Sequence, residues 1–165
     1  MKGFVREETR FSLCGLNCRL CSMHLGGYCP GCGGGAGNQS CAIARCSLEH
    51  GRVQFCWECP EYPCSRYEGF DDGDSFVPHR NRRKDIAQAR EMGLEDYLAQ
   101  MEEKRAILDA LLADYNDGRR KTLFNTAVYL LPLEDLLNKR VKRLPGWVAF
   151  FQIYNRRRRT ASQSA

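Results

Sequence analysis

A mainly α fold is predicted for this chain: an irregular cysteine-rich N-terminal region with short helices and a short hairpin, followed by a small C-terminal helical bundle. The cysteines argue for the first part, because all ten lie between Cys14 and Cys64 and none in the 101 residues beyond. Glycines and prolines in the same stretch forbid long elements. Apolar residues recurring three, four or seven apart argue for the second part. The expected division is 1–68 as the cysteine-rich region, 69–80 as a linker, 81–146 as helices, and 147–165 as an aromatic and then basic tail.

Taken in order, Gly26-Gly27, Pro30-Gly31 and Gly33-Gly34-Gly35 interrupt the early chain. Ser40 is a candidate N-cap for a short helix from Ala42 to His50, with Gly51 as its stop. Residues 52–57 suit a short strand. Gly69, Asp71, Asp72, Gly73 and Asp74 mark the linker before Pro78. A helix from Arg82 to Met92 carries Ile86 and Ala89 and closes at Gly93. Leu94, Leu98, Met101, Leu108, Leu112 and Tyr115, with Tyr97 and Leu111 beside them, form an apolar stripe on a helix ending at Asp117-Gly118. A third helix runs through Leu123, Ala127 and Leu130 to Pro132. A fourth carries Leu133, Leu136, Leu137, Val141 and Leu144 before Pro145-Gly146. Helices that each bury one stripe make a small bundle.

The net charge of +5 is uneven. Residues 101–165 hold 13 basic and 7 acidic side chains, with a run at Arg156, Arg157, Arg158 and Arg159. Such an arm suits nucleic acid or another acidic surface, although a solvated tail is the simpler expectation. No apolar run reaches the ~20 residues of a transmembrane helix. The start, MKGFVREETRF, has acidic residues and no apolar core, so a secretory signal is not expected. A reducing, cytoplasmic location follows, where clustered cysteines more often hold metal than form disulfides.

The cysteine spacing is Cys14-x3-Cys18-x2-Cys21-x7-Cys29-x2-Cys32-x8-Cys41-x4-Cys46-x9-Cys56-x2-Cys59-x4-Cys64. A two-residue gap lets one tight turn aim two sulfurs at a single ion, and structural zinc takes four such ligands. Cys29-Pro-Gly-Cys32 and Cys56-Trp-Glu-Cys59 have the form of such knuckles. Ten thiols suffice for two four-cysteine zinc sites, which would staple a region too small to hold itself by apolar burial. A helix over 14–25 would place Cys14, Cys18 and Cys21 on one face, needing a fourth ligand from Cys56, Cys59 or Cys64. Cys29, Cys32, Cys41 and Cys46 would then form the other site. On one continuous helix Cys41 and Cys46 lie about 140° apart, so Cys41 is expected before the first full turn.

Iron–sulfur chemistry is the rival. Cys14-x3-Cys18-x2-Cys21 has the spacing with which radical S-adenosylmethionine enzymes hold a [4Fe–4S] cluster, but the large barrel of those enzymes has no counterpart here. A plain cluster with a redox role remains open, since thiolates suit both metals. A thioredoxin-like reading of Cys56 and Cys59 lacks the surrounding βαβ pattern.

Of three histidines, His24 follows Cys21 by three residues but is unneeded as a ligand. His50 suits a helix C-terminus, where its charge complements the dipole. His79, among Arg80, Arg82, Arg83 and Lys84, is expected on the surface. No hydrolase, metalloprotease, phosphate-loop or dinucleotide motif occurs. Glu58 and Glu61 flank Cys59 but are expected to be solvated rather than catalytic. The sequence therefore favours binding or scaffolding over catalysis.

Cys14-Gly-Leu-Asn-Cys18 with Cys21, Cys29-Pro-Gly-Cys32, Cys41-Ala-Ile-Ala-Arg-Cys46 and Phe55-Cys56-Trp-Glu-Cys59-Pro-Glu-Tyr-Pro-Cys64 together resemble a prokaryotic cysteine-rich family of unknown function, whose members are described as zinc-binding. The likeness covers residues 13–66, and continues more loosely through Gly93-Leu94-Glu95 and Asp117-Gly118-Arg119-Arg120. Tyr62 stands where Phe is as common in that pattern. The resemblance implies metal binding and a cytoplasmic location, and carries no reaction.

Overall fold

Gly15 keeps residues 14–25 from forming one helix. Its φ of 93° is a conformation that side-chain-bearing residues resist, and a Cβ there would lie 2.6 Å from Ile86. In the computed structural model, which describes residues 3–35 and 41–137, the segment breaks into a 3₁₀ turn over Cys18–Leu20 and a short helix, α1 (Ser22–Leu25). Cys21 between them is extended, at φ −77° and ψ 128°. The expected one-face array of Cys14, Cys18 and Cys21 is thereby lost.

Helix α2 (Ala42–Glu49) starts after an extended Cys41 and ends at His50, with Gly51 at φ 78°. Cys41 thus stands ahead of the helix, as the spacing required. No strand occurs among the described residues. The stretch 52–57, expected to be extended, turns at Arg52 (φ 60°) and enters a 3₁₀ turn over Cys56–Glu58. The cause is local. Glu58 Oε2 accepts the Gln54 and Phe55 N–H groups at 2.8 and 3.2 Å, which caps the turn and uses up the donors a strand would offer. A third 3₁₀ turn covers Ser65–Tyr67.

Helices α3 (Arg82–Met92) and α4 (Leu94–Asp114) meet at Gly93, whose φ of 92° stops the first. Helix α4 ends three residues before Asp117, because Asn116 and Asp117 turn their carboxamide and carboxylate oxygens onto the N–H groups of Gly118 and Arg119. Helix α5 (Lys121–Leu130) gives way to an extended Leu131, the conformation favoured before Pro132, and α6 (Leu133–Leu137) follows. Ser40, Val141, Leu144, Pro145-Gly146 and the whole tail with Arg156–Arg159 lie outside the described residues.

The described residues fall into two compact units that divide within α4, between Glu102 and Glu103. In the first unit Phe11 is fully buried, with ring centroids 5.0 Å from Tyr97, 5.9 Å from Trp57 and 6.0 Å from Phe55. Phe55 and Trp57 stack at 4.1 Å. Each such ring pair adds about 0.5–1.5 kcal/mol beyond area burial. Two buried arginines join segments the sequence left unconnected. Arg6 donates to the carbonyls of Gln54, Phe11 and Cys32 at 2.7, 3.1 and 3.0 Å. The Arg82 guanidinium lies against both the Tyr67 and Phe70 rings, 4.5 and 3.7 Å from their centroids.

The 69–80 segment is no free linker but a packed part of the first unit. His79, still partly exposed, stacks on Phe70 at 5.1 Å, and its ring nitrogens meet Phe70 O and Ser75 Oγ. In the second unit Ile107, Leu108, Leu111, Phe124, Val128, Tyr129 and Leu136 are buried. The α5 stripe is shifted from the expected one: Leu123 is 41% exposed, and Phe124 and Val128 carry the apolar face. No helix among the described residues is long and apolar enough to cross a membrane.

Candidate metal centre

All ten cysteines are free thiols, Cys14 buried and the other nine half-buried. Four of them line one cavity of about 30 Å³: Cys46 from α2, Cys56 and Cys59 at either end of their 3₁₀ turn, and Cys64 leading into the next. Ile43, Val53 and Tyr62 supply apolar wall, and His50, Arg66 and Tyr67 supply hydrogen-bonding groups. This grouping differs from the expected one, in which Cys46 belongs with Cys29, Cys32 and Cys41.

The remaining thiols influence one another and, through Cys14, this set as well. Cys14 is pushed up to about 11, first by burial, with Cys32 and Cys41 raising it further and Ser12 and Arg82 opposing. Ser12 Oγ lies 3.4 Å from Cys14 Sγ. Cys18 is raised by burial and by Cys32, Cys14 and Cys21. Burial also raises Cys32 against the Arg6 guanidinium, with Cys41 again adjacent. Cys14, Cys18 and Cys32 thus each have other thiols close enough to disfavour their charged forms. Cys56 is pushed up to about 12 by burial, eased by the Tyr67 hydroxyl, and raised again by Cys14, Cys64 and Cys46.

Cys29 does not line the Cys46–Cys64 cavity. Its carbonyl lies 2.9 Å from His24 Nδ1, which engages that histidine in a turn contact. Gly31 in the same knuckle sits at φ 89°, where a Cβ would stand 2.5 Å from the Thr9 carbonyl. His50 closes α2 as expected: its Nδ1 lies 2.9 Å from Cys46 O and 3.5 Å from Cys46 Sγ, and its Nε2 3.3 Å from Glu61 Oε1. Contact with the Cys46 carbonyl raises its pKa, with Glu61 adding to the effect. Glu58 is committed to its cap, whereas Glu61 is largely exposed with His50 Nε2 as its neighbour.

As the side chains are placed, no three His, Cys, Asp or Glu among the described residues stand close enough together to hold an ion. The donor chemistry nevertheless suits a thiophilic metal. Buried thiols with raised pKa values lose their protons only when a cation compensates, so a metal would bind with proton release.

Arg6, Arg66 and Tyr67 were missed by reading for ligands. The only signal was positional, Arg66 and Tyr67 directly following Cys64. Comparison with protein-family models, curated proteins and solved structures finds no match.

Proposed function

We propose that this is a zinc-binding protein of the cytoplasm, in which two structural thiolate sites hold the N-terminal region and leave a surface for binding or scaffolding. The observation that carries this reading is the gathering of ten unoxidised, largely half-buried thiols in one part of one unit, four of them around a single cavity. Short helices and 3₁₀ turns bury little apolar area, and a structural zinc ion is worth ~10–16 kcal/mol in isolated zinc peptides, enough to decide whether such a region folds. Closed four-thiolate coordination leaves no position for substrate, so the sites would be structural.

Elemental analysis of the full chain, with a visible spectrum taken under anaerobic conditions, tests the reading. Two zinc ions per chain in a colourless sample, and loss of protease resistance in residues 14–64 on chelation, are expected. A metal-free protein that keeps its protease resistance removes it. A brown sample that bleaches on reduction replaces zinc with an iron–sulfur cluster.

A further inference from the structure

Cys56 and Cys59 are three residues apart across a 3₁₀ turn, and the Cys59 N–H closes back on the Cys56 carbonyl at 3.1 Å. A turn of this kind brings two sulfurs to one side. Cys64 follows five residues later in extended backbone (φ −98°, ψ 176°), and Cys46 approaches from the last half of α2. The cavity they line, about 30 Å³, exceeds the ~10–15 Å³ that a single water needs. It has room for one ion.

Two outer groups accompany these sulfurs. Arg66 and Tyr67 line the same cavity as the four thiols, and the Tyr67 hydroxyl donates to the Cys14 carbonyl at 3.4 Å. Four thiolates around a divalent ion leave a net charge of −2. Donors to the sulfurs are the usual means of holding that charge in place.

We propose that Cys46, Cys56, Cys59 and Cys64 are the four ligands of one closed zinc site built around this cavity, with Arg66 as its outer counter-charge. The assignment rests on the zinc reading above and deepens it by naming the ligand set. It dissociates Cys46 from Cys29, Cys32 and Cys41. Closing on zinc at ~2.3 Å sets neighbouring sulfurs roughly 3.8 Å apart, so the four thiols draw inward around the ion.

The test uses the intact wild-type chain first. Zinc is withdrawn in steps with a competing chelator, exposed thiols are alkylated, and the labelled cysteines are mapped by mass spectrometry at each metal count. Cys46, Cys56, Cys59 and Cys64 are expected to become labelled as one set with the loss of one ion. Labelling of Cys46 together with Cys29, Cys32 and Cys41 overturns the assignment while leaving zinc binding intact. A chain that never held metal defeats the parent reading, and this one with it.

Paired variants add a count. Cys46→Ser with Cys59→Ser should lose one of two zinc ions, and Cys46→Ser with Cys32→Ser both. The reverse pattern overturns the assignment. Arg66→Ala should keep two ions but release the first at least several-fold faster to chelator, and an unchanged rate removes its counter-charge role.

Discussion

Asn17 donates its Nδ2–H to Asp85 Oδ2 at 2.9 Å, with both residues buried and 68 positions apart. The bond ties the 3₁₀ turn of the early cysteine segment to the first turn of α3, where a carboxylate also complements the helix dipole. Hydrogen bonds to charged groups contribute about 1.5–3 kcal/mol, and a buried carboxylate that loses a donor keeps its desolvation cost. Asn17→Ala should therefore lower unfolding stability by about that amount. Asn17→Asp should cost more, because it sets a second carboxylate against the first. Urea midpoints at pH 7 with an unchanged slope check both.

Arg82 is the second anchor of the first unit. Its side chain is wholly buried, and Nη2 lies 2.9 Å from Asp71 Oδ1 in an ion pair whose angle falls outside hydrogen-bond geometry. Much of its contact is therefore with the faces of Tyr67 and Phe70. A planar guanidinium can stack on aromatic faces and an ammonium cannot. Arg82→Lys should lose nearly as much as Arg82→Ala, about 3 kcal/mol, the low end for breaking a buried pair because Asp71 stays partly exposed. A lysine variant of wild-type stability contradicts the stacking account.

The helical half of the fold was legible because its signals are local. Arg82–Met92 begins and ends where the sequence placed it, since Gly93 takes a conformation other residues resist. Tyr97, Leu98, Met101, Leu108 and Leu111 are buried as their spacing required. In the cysteine half, residue spacing did not show which thiols line one cavity. Which thiols adjoin is decided by where α2 lies against the 56–64 turns, and nothing in residue spacing encodes that. The 69–80 segment misled for a related reason. Its glycines and aspartates have the composition of a linker, yet Phe70 and Asp71 serve Arg82, a partner whose burial no local pattern announces.

Gly31 offers a backbone test within the Cys29–Cys32 knuckle. Its φ of 89° and the 2.5 Å approach of the Thr9 carbonyl to a notional Cβ combine strain with a clash against backbone, which cannot swing aside. Gly31→Ala should cost more than the ~1 kcal/mol typical of an unfavourable φ alone. Gly27→Ala is the control, because it shares a positive φ of 74° but has nothing within 4 Å. A thermal-unfolding comparison should rank Gly31→Ala well below Gly27→Ala.

Acid should weaken one defined contact. Burial raises the Glu8 carboxyl, but hydrogen bonds and charge from Arg10, with Oε2 to Nη2 at 2.6 Å, outweigh it and hold the pKa below the ordinary 4.5. A depressed folded-state value stabilises the fold above pH 4.5, and that benefit disappears as pH falls through the lowered value. Glu8→Gln should cost about 0.2–1 kcal/mol at pH 7, as for other partly exposed pairs. The gap between wild type and variant should close toward pH 3 and shrink in high salt. A gap that widens in acid reverses the sign and refutes the pairing.

Lys104 provides the corresponding test in the second unit. It is 5% exposed, and its Nζ donates to the Tyr129 carbonyl at 3.1 Å, in the last turn of α5. Carbonyls there have no partner further along the helix, and the helix end carries partial negative charge, so a cation is well placed twice over. Lys104→Met keeps most of the aliphatic stem and removes only the ammonium. It should cost about 1–2 kcal/mol, because the lost hydrogen bond is partly offset by relief from burying a charge. Lys104→Glu keeps a charge but donates nothing and repels the same carbonyls, so its loss should be larger. Urea unfolding followed by the far-ultraviolet helix signal distinguishes the two, and a Lys104→Glu variant as stable as Lys104→Met would show that the ammonium is not seated on the α5 terminus.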